Sequence, residues 1–74
     1  MQNTFTVKLE VRQRPGYISA ICPSIPGLHV CGETTEAVRQ SAMRAIKTLL
    51  RVNQEREVVV SPTDDWSEFR VKTV

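Results

Sequence analysis

The sequence has few of the residues that mark catalytic, metal-binding or disulfide-linked proteins. Its 74 residues include 2 cysteines, 1 histidine and 3 glycines, and they contain no Ser/His/Asp grouping and no glycine-rich phosphate loop. The two cysteines are not preceded by an apolar signal segment, which indicates reduced thiols in the cytoplasm rather than a disulfide framework. We therefore expect a protein that is not an enzyme and has no cofactor.

The sequence also lacks a long apolar run and a strong charge of either sign. It is 41% hydrophobic and 24% charged, and no stretch approaches the roughly 20 apolar residues of a membrane-spanning helix. The net charge of +2 is too small to indicate nucleic-acid binding by itself. We expect one cytoplasmic domain over residues 1–74. Because so short a chain buries only about 60% of its unfolded surface, we also expect a homo-oligomer, either a dimer or a tetramer.

One amphipathic helix is predicted over residues 36–53, and the rest of the chain is organised around it. Apolar residues recur there at spacings of 4, 3, 4 and 3, which places on one helix face Val38, Ala42, Ala45, Leu49 and Val52. Ile46 and Leu50 widen that face. Either Thr34 or Thr35 can cap the first turn, because a threonine hydroxyl accepts a hydrogen bond from an unpaired N–H.

Alternating apolar and polar residues predict strands on both sides of the helix. Residues 5–11 alternate most regularly, and a Pro15-Gly16 turn then leads to a second strand over residues 17–22. That strand carries apolar groups on both faces, which is typical of a strand covered on both sides. A proline-containing loop over residues 23–27 precedes a short third strand over residues 28–31.

Two further segments after the helix have strand character. Residues 57–60 are a short β-branched run, and residues 68–73 alternate again after a loop over residues 61–65. Three consecutive strands with short connections should form an antiparallel meander. The predicted fold class is α+β: a three-stranded antiparallel meander covered by one long helix, then one or two short C-terminal strands, in the order β-β-β-α-β-(β).

The motifs around the second connection resemble those of the HicB-like antitoxin family. They are Ala20-x-x-Pro23-x-Ile25-Pro26-Gly27, then Gly32-x-Thr34, then Glu36-Ala37 at the helix start. Family members have a Pro-x-Leu-Pro-Gly loop between the second and third strands and a Gly-Asp-Thr entry into a long helix with Glu-Ala in its first turn. The similarity spans roughly residues 5–50. This sequence differs in having Ser24 where the loop is usually acidic, and one residue fewer before Glu36-Ala37.

The resemblance implies a non-enzymatic interaction module that neutralises a HicA-like ribonuclease toxin. Full-length family members also carry a C-terminal helix-turn-helix or ribbon-helix-helix that binds the operator, and no segment of that length follows residue 53 in this sequence. We therefore expect protein binding, and no nucleic-acid binding without an additional domain. A stand-alone oligomeric protein with no antitoxin role is a further interpretation.

A metal site is the first alternative that we considered for the second and third strands. Cys22, His29 and Cys31 offer three ligands, whereas a structural zinc site takes four. A Cys22–Cys31 disulfide needs closely matched Cβ positions and an oxidising compartment. We favour two small apolar thiols and a surface histidine, with no bound metal.

Carboxylates are no better grouped than the thiols. A nuclease of the ribonuclease H type, which the family's domain resembles in shortened form, needs clustered carboxylates to hold two metal ions. The first strand offers only Glu10, and Asp64 and Asp65 stand together in a late loop with no third acid. The sequence therefore predicts no catalytic residues.

Arg44, Lys47 and Arg51 form a basic stripe on the predicted exposed face of the helix. One interpretation is contact with RNA phosphates or with an acidic partner. The other is a solvated face whose cations complement the negative end of the helix dipole. No aromatic residues are interleaved with the stripe, which argues against binding of single strands by stacking.

The C-terminal segment supplies the candidate interface. Residues 68–73 read as an edge strand, whose unpaired N–H and C=O groups could be extended by a second copy or by a toxin. Aromatic residues are common at such interfaces, although a small satellite core explains the aromatic residues equally well. The residues predicted to lie at the partner or oligomer interface are Trp66, Phe69, Arg70, Val71 and Lys72.

Overall fold

The computed structural model describes residues 3–73, which form six strands and one helix. In chain order these are β1 (Thr4–Lys8), β2 (Glu10–Arg14), β3 (Tyr17–Ile21), β4 (His29–Gly32), α1 (Thr35–Gln54), β5 (Val58–Pro62) and β6 (Glu68–Thr73). The predicted α+β class with one long helix is confirmed. The strand order differs from the prediction because the N-terminal strand is divided into two.

The N-terminal run changes its pairing partner at Leu9. β1 pairs with β6, whereas β2 pairs with β3. The Leu9 N–H donates to the Ser67 carbonyl oxygen at 2.8 Å, so that the backbone at the junction is not left unpaired. The predicted alternation nevertheless continues through the junction, because Val7 and Leu9 are buried and Val11 is half-buried.

The strands form two antiparallel sheets of three, in the orders β1-β6-β5 and β2-β3-β4. The second sheet matches the predicted meander only in part, because its first strand takes only the end of the predicted N-terminal strand and extends into the predicted turn. The prediction that residues 68–73 form an edge strand is wrong, because β6 is the central strand of its sheet and is paired on both sides. Sequence alternation shows that a strand has a buried face, but it does not show how many neighbours the strand has.

Glycines with positive φ permit the two turns of the meander that the sequence predicts. Pro15 and Gly16 connect β2 to β3, and Gly16 has a φ of 82°, which suits glycine because it has no Cβ. In the loop between β3 and β4, Gly27 has a φ of 88°. The Ile25 side chain is buried beneath this loop, and its N–H donates to the Cys22 carbonyl oxygen at 3.0 Å.

Helix α1 exceeds the predicted range by one residue at each end, and Thr34 is its N-cap. The Thr34 hydroxyl accepts a hydrogen bond from the Ala37 N–H at 3.1 Å. The buried stripe consists of Val38, Ala42, Ile46 and Leu50. Residues four apart are rotated by about 40° relative to each other around a helix. The observed buried stripe therefore passes through Ile46 and Leu50, which were predicted to lie at one side of the apolar face.

The rotation of the buried stripe corrects part of the predicted helix face. Val52 was predicted to be buried, but it is 67% exposed. Ala45 and Leu49 are only half-buried and pack at the border of the core. The helix contacts β3 and β4 of one sheet and β5 of the other, so that a single element covers both. No helix within residues 3–73 is long and apolar enough to cross a membrane.

Candidate interaction surfaces

The meander presents its second face to solvent. On the inner face Val11, Ala20 and Val30 are in register and pack at the core. Side chains alternate between the two faces of a sheet, so the neighbours of these residues lie on the other face. We call this the outer sheet face; it consists of Glu10, Arg12, Arg14, Tyr17, Ser19, Ile21, His29 and Cys31.

Two large apolar side chains lie on the central strand of the outer sheet face. Tyr17 is 46% exposed and Ile21 is 44% exposed. Ile21 stands between Glu10 of β2 and His29 of β4, and Tyr17 stands opposite Arg14. The expectation that both faces of this strand are covered is wrong within this chain, since only the inner face is covered. An apolar centre with a polar rim is the usual anatomy of a protein interface.

The basic stripe is exposed, as the sequence predicted. Arg44, Lys47 and Arg51 are all exposed on α1, and none of the three forms an ion pair within residues 3–73. Glu36 lies one helical turn before Gln40, and its carboxylate accepts hydrogen bonds from Gln40 and from Arg39. These two bonds, that of Gln40 first, hold the pKa of Glu36 below its ordinary value.

A groove separates this stripe from strand β5, and sequence reasoning missed it. It is lined on the helix side by Gln40, Met43, Arg44 and Lys47, and on the other side by the three valines of β5. A continuation of the groove runs past Arg51 to Glu57. The three valines of the β-branched run predicted a strand. They did not show that this strand would lie beside the basic stripe, so the groove was missed.

The five residues predicted at the C-terminal interface do not form one surface. Phe69 and Val71 are fully buried within the chain, because they belong to the hydrophobic core and lie on the central strand of their sheet. Arg70 and Lys72 are exposed on the opposite face of β6. Trp66 is half-buried and packs against the main hydrophobic core. An interface role for Trp66, Arg70 and Lys72 stays a prediction.

Asp65 stabilises the loop between β5 and β6 through hydrogen bonds within the loop and an ion pair with Lys8. One oxygen of Asp65 accepts from the Ser67 N–H at 2.9 Å and from the Ser67 hydroxyl at 2.7 Å, and the other oxygen lies 3.5 Å from Lys8 Nζ. These contacts, the Ser67 N–H first, lower the pKa of Asp65. Since Ser67 also supplies the carbonyl that binds the Leu9 N–H, Asp65 has a structural role.

The sheet separates Cys22 from Cys31 and His29. Cys22 is buried with its Sγ 3.2 Å from Ser24 Oγ, whereas Cys31 is exposed on the outer sheet face beside His29. Both thiols are free. Across residues 3–73, no three histidine, cysteine or acidic side chains lie close enough together to hold a metal ion.

The sequence is similar to a known antitoxin. Antitoxin HicB of Pseudomonas fluorescens (strain Pf0-1) is 33% identical over 64 residues, which cover 86% of this chain and 43% of that relative. The resemblance to the HicB-like antitoxin family is thereby confirmed over the aligned part. The chain spans less than half the length of the curated relative that it matches. No family model matches the chain, and no solved structure matches it.

Proposed function

We propose that this chain is a HicB-like antitoxin module that neutralises a HicA-like ribonuclease toxin by binding it. The observation that carries the proposal is the similarity to Antitoxin HicB across most of the chain. A toxin-binding role needs no chemistry from the chain itself. It requires only a surface that covers the toxin, so the proposed role is non-enzymatic.

The outer sheet face is the surface we assign to the toxin. Its central strand exposes Tyr17 and Ile21 among charged neighbours, and aromatic and aliphatic anchors with a polar rim provide most of the energy of an interface. A paired sheet is also rigid, so that docking costs little ordering of the backbone. Arg12 and Arg14 at the rim are suited to pair with acidic groups of the partner.

Co-expression tests this function. Any small reading frame found next to this chain's gene would be induced in a bacterial host with and without the chain, and growth would be followed. We expect growth arrest by the toxin alone and rescue by the chain. Rescue should fail with Ile21→Lys, because it replaces an apolar contact at the centre of the proposed interface with a charge that docking must remove from water.

A control variant shows whether the loss of rescue is specific to the outer sheet face. Val52→Lys makes the same change at an exposed valine of α1, far from the outer sheet face in sequence and on the other layer, and it should rescue growth as the unaltered chain does. Rescue by both variants would contradict the assignment of the outer sheet face. Absence of any toxic neighbour would favour a stand-alone oligomeric protein.

A further inference from the structure

The groove between α1 and β5 combines a row of cations with an unpaired strand edge. Its helix side carries cations, namely Arg44 and Lys47 with Arg51 beyond them. Its other side is the outermost strand of the β1-β6-β5 sheet. Within residues 3–73, β5 pairs only with β6, so one side of its backbone has no partner strand.

The hydrogen-bond register shows which backbone groups of β5 face the free side. The Thr73 N–H donates to the Asn3 carbonyl oxygen of the neighbouring chain segment at 2.9 Å, so the odd-numbered residues of β6 direct their backbone groups toward β1. Successive residues of an antiparallel strand alternate in this direction. Lys72 and Arg70 therefore point to β5, where they are opposite Val59 and Ser61.

The free side of β5 is thus formed by Val58, Val60 and Pro62. The position of Pro62 agrees with this register, because proline lacks an N–H and is tolerated where a strand has no partner. The N–H and C=O groups of Val58 and Val60 remain available to an added strand. Such a strand would end beside Pro62, which can donate nothing to it.

The charges of the groove indicate what kind of strand fits it. Arg44, Lys47 and Arg51 make no ion pair within the described part of the chain, and Glu57 is the one acid among the lining residues. Three cations beside one carboxylate leave an excess positive charge. Carboxylates brought in by a partner would meet this charge, which steers association and fixes the register of the added strand.

We propose that β5 accepts an extended segment of a partner protein that carries acidic side chains at alternate positions. The segment adds to β5 as a new strand through Val58 and Val60, and its carboxylates pair with Arg44, Lys47 and Arg51. This is a second binding surface, separate from the outer sheet face assigned to the toxin. Strand addition of this kind takes its affinity from main-chain hydrogen bonds and its specificity from alternate side chains.

Two other occupants fit the groove less well. A second copy pairing through β5 about a two-fold axis would make an isologous contact, which brings the same three cations of both copies together. RNA would use the cations, but the groove has no aromatic side chain for base stacking. Neither occupant of these two kinds makes use of both the free backbone and the unpaired charge.

The affinity of the chain for short labelled peptides tests the proposal directly. The probes are two fluorescein-labelled eight-residue peptides, one alternating glutamate with valine and one alternating lysine with valine, and a labelled single-stranded RNA. We expect the glutamate peptide to bind at least about tenfold more tightly than the lysine peptide. Its affinity should fall as salt is raised from about 50 to about 200 mM, as charge pairing requires.

Variants separate the backbone contribution from the charge contribution. Val60→Pro removes a donor from the free side without removing a bond to β6, and should weaken the glutamate peptide at least about tenfold. The triple variant Arg44→Gln, Lys47→Gln, Arg51→Gln should weaken it as much and abolish the salt dependence. Arg12→Gln, on the outer sheet face, is the matched charge control and should bind the peptide unchanged.

Each remaining outcome overturns the proposal. Equal affinity for the two peptides, or no binding of the glutamate peptide, shows that the groove does not select an acidic strand. Unchanged binding by a folded Val60→Pro shows that the free side of β5 is not used. Salt-dependent RNA binding that the triple variant removes, without peptide binding, assigns the stripe to nucleic acid. Toxin rescue by Val60→Pro distinguishes failure here from failure of the proposed antitoxin function.

Discussion

Ile46 shows how the position of a residue around the helix decides its energetic weight. It is fully buried, although the apolar spacing placed it only at the margin of the predicted face. Val52 satisfies the spacing equally well and is mostly exposed. Positions 46 and 52 both fit the apolar period of the helix, so the pattern alone does not distinguish the centre of the buried stripe from its borders.

Truncation of Ile46 should destabilise the protein far more than truncation of Val52. Ile46→Ala empties a fully buried site, for which the loss of unfolding free energy is about 2–5 kcal/mol. Val52→Ala changes an exposed side chain and should stay within about 0.5 kcal/mol. Leu49→Ala should fall between them, since Leu49 is half-buried. Urea denaturation midpoints measure all three, and equal values for Ile46→Ala and Val52→Ala would contradict the observed face.

Asp65 should make stability depend on pH in the acid range. Its pKa in the folded protein lies below the ordinary value of 3.8, because Ser67 and Lys8 favour the carboxylate. A group whose pKa is lowered by folding contributes stability above its unfolded pKa, and that contribution is lost as the pH falls. We therefore expect Asp65 to stabilise the fold at neutral pH, and we expect this contribution to decline as the pH falls below about 4 and through the lowered pKa of Asp65.

Asp65→Asn isolates this contribution, since asparagine can still accept a bond from Ser67 but carries no charge. The unaltered protein should be more stable than the variant at about pH 7, and the difference should shrink as the pH falls toward about 2. Urea midpoints across that range provide the measurement. A difference that stays constant with pH would show that the charge of Asp65 does not contribute.

At the scale of whole elements, the helix could be predicted from sequence and the strand neighbours could not. The bounds of α1 follow from a local period and a threonine cap, both of which are properties of consecutive residues. The position of β6 depends on β1, whose paired residues lie 60 to 68 positions away in the chain. Local alternation correctly identified residues 68–73 as a strand, but the neighbours of that strand are fixed by tertiary packing.

The same limit explains which parts of the candidate surfaces the sequence could indicate. The exposure of Arg44, Lys47 and Arg51 follows from helical period and was predicted. The alternation over residues 17–22 indicated the outer sheet face, but the apolar residues on both faces suggested that both were covered. The sequence does not show which neighbouring layers are present. The groove joins α1 to β5 across a turn, so it could be recognised only in the folded chain.

Because β6 is the central strand of its sheet, a proline substitution in it should prevent folding. Val71→Pro removes an N–H that the register directs toward β1, and it places a proline inside a paired strand with a buried side chain. We expect Val71→Pro to lose the cooperative thermal unfolding transition, which circular dichroism measures. Val60→Pro, at the free side of β5, should keep that transition. A folded Val71→Pro with unchanged stability would contradict the assigned sheet order.

The size of the whole molecule argues for self-association. The chain measures 44 × 24 × 17 Å, so that one helix and two small sheets enclose a thin core. Each three-stranded sheet also has two outer strands, and within residues 3–73 these are β1 and β5 in one sheet and β2 and β4 in the other. Unpaired strand edges and a small core both favour addition of a second copy.

Sedimentation should give at least twice the monomer mass of 8.4 kDa at concentrations of tens of micromolar, with dissociation on dilution as mass action requires. The oligomer should also be independent of the surface that binds the toxin. Ile21→Lys should therefore keep the oligomeric mass while it abolishes rescue from the toxin, because we assign the outer sheet face to the toxin and self-association to the edges of β1, β2 and β4. Loss of both together would place the two contacts on one surface, and a monomer mass for the unaltered chain at every concentration would show that the core of one copy is sufficient.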